Sequence, residues 1–226
     1  MTQATPDHAS YNASAKLDTI ADFFDDAEQR AAFLLELHAS RRPIEALTLC
    51  LTYIDSFSQW LYWPRNRTGE NFVEALAQHG GDPELSLIHP LALTRAFDSM
   101  KGHWNDFATR LRGIFPGPAY VLYASRDFLT QASTGFNGSE TKLIEAELWR
   151  GSIANVAYTR LRNPSIHSFR RAVEVSFDLT TYKGQPVQPI TFRRLHQSLL
   201  GIVAEARARS MATGKWFGND RAANGA

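Results

Sequence analysis

Apolar residues recur at spacings of three and four over most of this chain, the signature of helices that bury one face. From Lys16 to Ser40 the stripe is Leu17, Ile20, Phe23, Phe24, Ala27, Ala31, Phe33, Leu34 and Leu37, with the Asp25-Asp26 pair marking where such a helix would break. Pro43, suited to a first helical turn, opens a second helix carrying Ile44, Leu47, Cys50, Leu51, Ile54, Phe57, Leu61 and Tyr62 until Pro64 stops it. Between Asn66 and Phe115 the same periodicity is cut by Gly80-Gly81, Pro83 and Pro90 into two or three short helices. Phe115-Pro116-Gly117-Pro118 is a turn signal, Tyr120 to Tyr123 is too short to assign, and Gln131 to Ser139 reads as a loop. Ser139 and Glu140 lead into a helix through Arg162, ended by the restriction Pro164 places on Asn163. From Val173 the period changes to two, and Lys183-Gly184 divides that run into a short hairpin. Thr191 then caps a last helix to about Arg209.

The pattern predicts a mainly α protein, a helical bundle with a short β-hairpin before the last helix. The folded unit is expected over 16–210, with an inserted segment at about 66–135. Residues 1–15 and 211–226 have no periodic apolar stripe and are expected to be disordered ends.

With 226 residues, 44% of them apolar, the chain has ample core material, which excludes a wholly disordered or collagenous protein. Its net charge of +1 offers no general polycation for nucleic acid, but the balance is uneven: −7 over residues 1–149 and +8 from Arg150 to the end. The single cysteine, Cys50, supplies neither a disulfide framework nor a thiolate zinc site, and the chain reads as intracellular. The polar start Met1 to Ser14 lacks the features of a signal peptide, and the most apolar stretch, Leu47 to Trp63, is interrupted by Asp55, Ser56, Ser58 and Gln59, so no membrane span is expected.

The common phosphate-loop, dinucleotide, zinc-protease and nucleophile-elbow signatures are absent, and the seven histidines are scattered without the spacing of metal ligands on one helix face. No metal or other cofactor is therefore expected. What remains is Arg162-Asn163-Pro164-Ser165-Ile166-His167, an arginine closing an amphipathic helix with a histidine four intervening residues later. A cation in a last helical turn also has a purely structural use, offsetting the helix dipole, and a loop histidine can simply bond to backbone.

This run resembles the motif of the HEPN superfamily: Arg, four to six residues, His, often with a polar residue directly after the Arg. Asn163 is that polar residue. Arg160 also reaches His167 at six intervening residues, but Leu161 follows it, so Arg162 fits better. The stretch Leu49 to Trp60 is similar to an early helix of such proteins, and Asp55 within it would, if buried, need a partner such as Arg162 or His167. The resemblance covers the last third of the chain, touches the helix at 43–63 and hardly reaches 66–135.

The resemblance implies a metal-independent endoribonuclease of a helical-bundle fold, working in the cytoplasm as a homodimer with two motifs facing across a cleft. Attack of a ribose 2′-OH on the adjacent phosphate would leave a cyclic phosphate and a free 5′-OH. His167 would move the proton, Arg162 would hold the phosphate, Asn163 would orient them, and Asp55 would fix the imidazole. Toxin and phage-defence systems are the implied settings, with an antitoxin or another system component as partner. Arg160, Arg170 and Arg171 are expected to bind RNA, and Arg193-Arg194 would flank a groove with Phe169, Tyr182 and Phe192 as stacking surfaces. His196 is expected on a helix surface, and Trp60, Trp63, Trp104 and Trp149 as core or interface aromatics. The alternative is a non-catalytic helical module that binds RNA, a nucleotide or a partner through a structural Arg/His pair. A redox or metal enzyme has only Cys50 and scattered histidines to recommend it.

Overall fold

The structure is a computed structural model that describes residues 8–116, 121–164, 174–177 and 180–215, with side chains from residue 15 onward. Nine labelled α-helices occur among these residues, in the order α1 (His8–Ala39), α2 (Pro43–Leu61), α3 (Thr68–His79), α4 (Pro90–Asp98), α5 (Trp104–Ile114), α6 (Ser125–Ala132), α7 (Gly138–Ala146), α8 (Ile153–Ala157) and α9 (Phe192–Thr213). A two-residue hairpin, β1 (Thr181–Tyr182) and β2 (Gln185–Pro186), precedes α9. The predicted mainly α bundle with a hairpin before its last helix is therefore what the chain forms. No helix among the described residues is long and apolar enough to cross a membrane.

Two clusters of buried side chains organise the helices. The larger joins α1, α2, α3, α8 and α9 through Ile20, Phe24, Leu34, Leu51, Ile54, Phe72, Leu76, Ile153, Leu195, Leu199 and Ile202, with Leu161 after α8. Full burial of each such Phe, Leu or Ile contributes roughly 1.5–3 kcal/mol. Phe24 shows how the helices engage: fully buried, it lies against Phe57 and Trp60 of α2 at ring separations of 6.1 and 5.3 Å. The smaller cluster joins α4 to α7 through Phe97, Phe107, Leu111, Phe128, Phe136 and Ile144. The inserted part thus has its own core from Ile88 to Leu148, whereas α3, placed in the insertion by the sequence reading, belongs to the main bundle.

Helix ends follow the local chemistry. Thr191 caps α9 by accepting from the Arg194 N–H, and Gly214 ends that helix at φ +61°. Asn137 and Glu140 form a capping box on α7. Lys183 and Gly184, at φ +49° and +77°, supply the two left-handed residues of a tight hairpin turn. The helix α1 is continuous across Asp25-Asp26, because Ile20, Phe24, Ala31 and Leu34 keep one face buried on both sides of the pair. It also starts at His8, inside the segment expected to be disordered, and α9 runs to Thr213, past the expected limit of 210.

The helix expected from Ser139 to Arg162 is broken. After α7 come a 3-10 turn (Leu148–Gly151), α8, and a single π-turn (Tyr158–Arg162). Gly151 explains the first break: an added Cβ would lie 2.7 Å from Leu93 Cβ, and its carbonyl accepts from the His89 N–H at 2.8 Å, holding the backbone extended against 87–89. Ser152 then restarts the helix as N-cap, its Oγ accepting from the Asn155 N–H at 3.1 Å. Residues 121–123, left unassigned by the sequence, are extended and bridge Ile88 and Thr181.

Candidate functional site

Asp55 stands on α2 beside the buried stripe Leu51, Ile54 and Ser58, at the margin of the main core. Arg162 is the last residue of the π-turn, directly after Leu161, which is fully buried. Burying Leu161 swings its neighbour onto α2, and Arg162 Nη2 donates to Asp55 Oδ2 at 2.6 Å. Only 12% of the Arg162 side chain and 17% of the Asp55 side chain are exposed, so both charges depend on this pairing.

Neighbours extend the pair into a network. Arg162 Nη1 donates to Asn163 Oδ1 at 3.2 Å, and the guanidinium carbon lies 5.4 Å from the centre of the Tyr158 ring. On the other side Gln59 Nε2 reaches Asp55 Oδ1 at 3.4 Å, and Gln59 Oε1 accepts from Asn71 Nδ2 at 2.9 Å. Asn71, fully buried on α3, also donates to the Arg65 carbonyl at 2.9 Å. Tyr158 is wedged onto α3: its ring centre is 5.3 Å from that of Phe72, and a Cβ on Gly69 would come within 3.1 Å of it. The sequence reading missed Gln59, Asn71 and Tyr158. Gln59 carried a usable signal, standing one helical turn after Asp55, and Asn71 another, as an amide beside the apolar Phe72 and Val73.

The structure therefore brings together three of the four expected catalytic residues, Arg162, Asn163 and Asp55. His167 lies outside the described residues, as do Arg170, Arg171 and Phe169. Against the expected end near Asn163, Asn163 keeps helical angles (φ −63°, ψ −48°) and residues 163 and 164 are helical, the last described residues of this stretch. The π-turn accounts for this. Pro164 has no N–H to give, and the preceding turn is widened, with the Asn163 N–H on the Tyr158 carbonyl, so Asn163 stays helical.

Other expected surfaces have structural roles instead. Arg194 is not an edge of an RNA groove; it is held by Asp82 and by Glu84, the latter at 2.9 Å, and Arg193 alone of the pair is exposed. Phe192 is 4% exposed and stacks on His38 at 4.5 Å, so it presents no open face to a base. His196 is not a surface residue. It is buried, and its Nε2 lies 2.8 Å from the Ala31 carbonyl, which fixes the proton on Nε2 because a carbonyl only accepts. Trp60, Trp104 and Trp149 pack against the cores, while Trp63 is half exposed. Arg160 is exposed and faces a cleft toward α4, away from Asp55.

Burial pushes the Cys50 thiol far above its ordinary range, and the same cause, helped by the nearby Arg95 charge, lowers His89. Among the described residues, no group of three or more His, Cys, Asp or Glu side chains is placed to hold a metal ion. Comparison of the chain with family models, with curated proteins and with solved structures finds no match. The HEPN resemblance accordingly stands on the Arg162–His167 motif and on the order of the elements around it.

Proposed function

We propose that the chain is a HEPN-like, metal-independent endoribonuclease that acts as a homodimer. The observation that carries this reading is the bond from Arg162 to Asp55, which fixes the motif arginine beside Asn163. A guanidinium held by a carboxylate keeps one orientation, which is what an arginine that holds a phosphate needs. In the reaction His167 takes the proton of a ribose 2′-OH, the oxygen attacks the neighbouring phosphorus, and the 5′-oxygen leaves with a proton supplied by an acid. Arg162 offsets the charge that gathers on the phosphoryl oxygens, and Asp55 is a positioning residue. This assigns Asp55 to the arginine and not to the imidazole. A toxin or phage-defence role, with a neutralising partner, follows from the same reading.

The burial of the ion pair favours a second reading, in which Arg162 is structural and the protein binds RNA or a partner without cutting. Expression separates the two. Growth arrest by the wild-type chain, relieved by Arg162→Ala and by His167→Ala in variants that still fold, supports the nuclease; equal tolerance of all three chains supports the second reading. The purified nuclease is expected to cut RNA undiminished in excess EDTA, and loss of cutting on chelation would overturn the metal-independent mechanism.

A further inference from the structure

Beside the π-turn a cleft of about 620 Å³ opens between α4, the 3-10 turn at 148–151 and Ser176, Phe177 and Thr180. Its size is that of a small-molecule site, several times what a lone inorganic anion needs. Three arginines line it from three separate elements: Arg95 from α4, Arg150 from the 3-10 turn and Arg160 from the π-turn. No acidic side chain lines the cleft among the described residues. Arg150 is paired with Glu147 at 2.5 Å, whereas Arg95 and Arg160 have no carboxylate within ion-pairing distance among the described residues. Among the described residues these two positive charges thus have no carboxylate partner, and in a concave space they reinforce each other's field.

Leu91, Val156 and Phe177 line the same cleft and give it apolar surface. The first turn of α4, where His89 makes no side-chain cap, also borders it and adds the positive end of a helix dipole. A phosphate monoester carries close to two negative charges at neutral pH and offers the oxygen geometry that forked guanidinium donors match.

We propose that this cleft is a binding site for a small organic phosphate ester, its phosphoryl group on Arg95 and Arg160 and its organic part against Leu91, Val156 and Phe177. Asp55, Arg162 and Asn163 do not line the cleft, and it shares with the nuclease reading only Arg160, expected there to bind RNA.

Titration calorimetry on the full chain at fixed ionic strength tests this with 5′-AMP, ribose 5-phosphate, inorganic phosphate, adenosine and a ten-nucleotide RNA without a terminal phosphate. At least one of the two esters is expected to bind tenfold or more tighter than inorganic phosphate and than adenosine. That affinity is expected to fall at least tenfold in the double variant Arg95→Gln, Arg160→Gln. Both side chains are exposed and make no ion pair among the described residues, so the variant is expected to melt with the wild type; a shared thermal midpoint confirms that it folds. Esters that bind no tighter than inorganic phosphate would overturn the proposal, as would equal binding by the variant. Tight binding of the RNA alone would also overturn it, by assigning the cleft to a polymer.

Discussion

Arg162 Nη2 and Asp55 Oδ2 meet at 2.6 Å across 107 positions of sequence, tying the π-turn to α2. Removing one partner leaves the other charge without this ion pair in a mostly buried place. Asp55→Ala is therefore expected to cost about 3 kcal/mol, the lower end of what breaking a buried pair costs. Adding Arg162→Ala should recover part of that loss, and a double-mutant cycle from urea unfolding measures the coupling. Additive losses would show that the two side chains do not depend on each other.

Gly201 sets how closely α9 approaches α3. A Cβ there would lie 2.3 Å from the His79 carbonyl oxygen, a backbone atom that cannot swing aside. By helix propensity alone Gly201→Ala would stabilise α9 by about 1 kcal/mol. Overpacking at the crossing is expected to reverse that sign and cost about 1–3 kcal/mol. A lowered thermal midpoint for Gly201→Ala is the expected result, and a raised one would contradict the close approach.

Arg193 and Arg194 make a similar contrast between adjacent residues. Arg194 is mostly buried and bridges Asp82 and Glu84 to the start of α9, while Arg193 faces solvent. Arg194→Ala is expected to destabilise the protein by about 2 kcal/mol by leaving its carboxylates unpaired. Arg193→Ala is expected to stay within about 0.5 kcal/mol of the wild type. Denaturant midpoints of the two variants check this directly.

These cases also show where the sequence was legible. The apolar stripes of α1, α2 and α9 are long enough to declare their period, and Thr191, Lys183 and Gly184 act through chemistry local to a few residues. Asp55 was recognisable as a candidate because a carboxylate within an apolar stretch needs a partner; that the partner is Arg162 depends on how the helices pack. The break at Gly151 was not legible, since the glycine answers to Leu93, a distant residue that a local window does not see. His196 failed for the same reason: its periodic position fits either face of α9, and only the Ala31 carbonyl on α1 selects the buried one. The π-turn conceals itself further, because Pro164 ordinarily announces a helix end and here the backbone widens to admit it.

Acid should unpick one identifiable contact. Glu140 receives Arg110 Nη1 and Nη2 at 2.8 and 2.9 Å and the Asn137 N–H at 2.9 Å, joining α5 to the cap of α7. The Arg110 bonds first, and the Asn137 N–H second, hold the Glu140 carboxyl at about 2 against an ordinary 4.5. Above the ordinary value the carboxylate is charged in both folded and unfolded chains, and its stabilising effect is complete. As pH falls from 4.5 toward 2 the unfolded chain takes up the proton and the folded one does not, so stability declines; below 2 the contribution is gone. Urea midpoints of the wild type should therefore fall through that window more steeply than those of Glu140→Gln, which starts lower at neutral pH and converges with the wild type near pH 2. Parallel curves for the two proteins would mean that Glu140 titrates normally and that the Arg110 contact does not hold in solution.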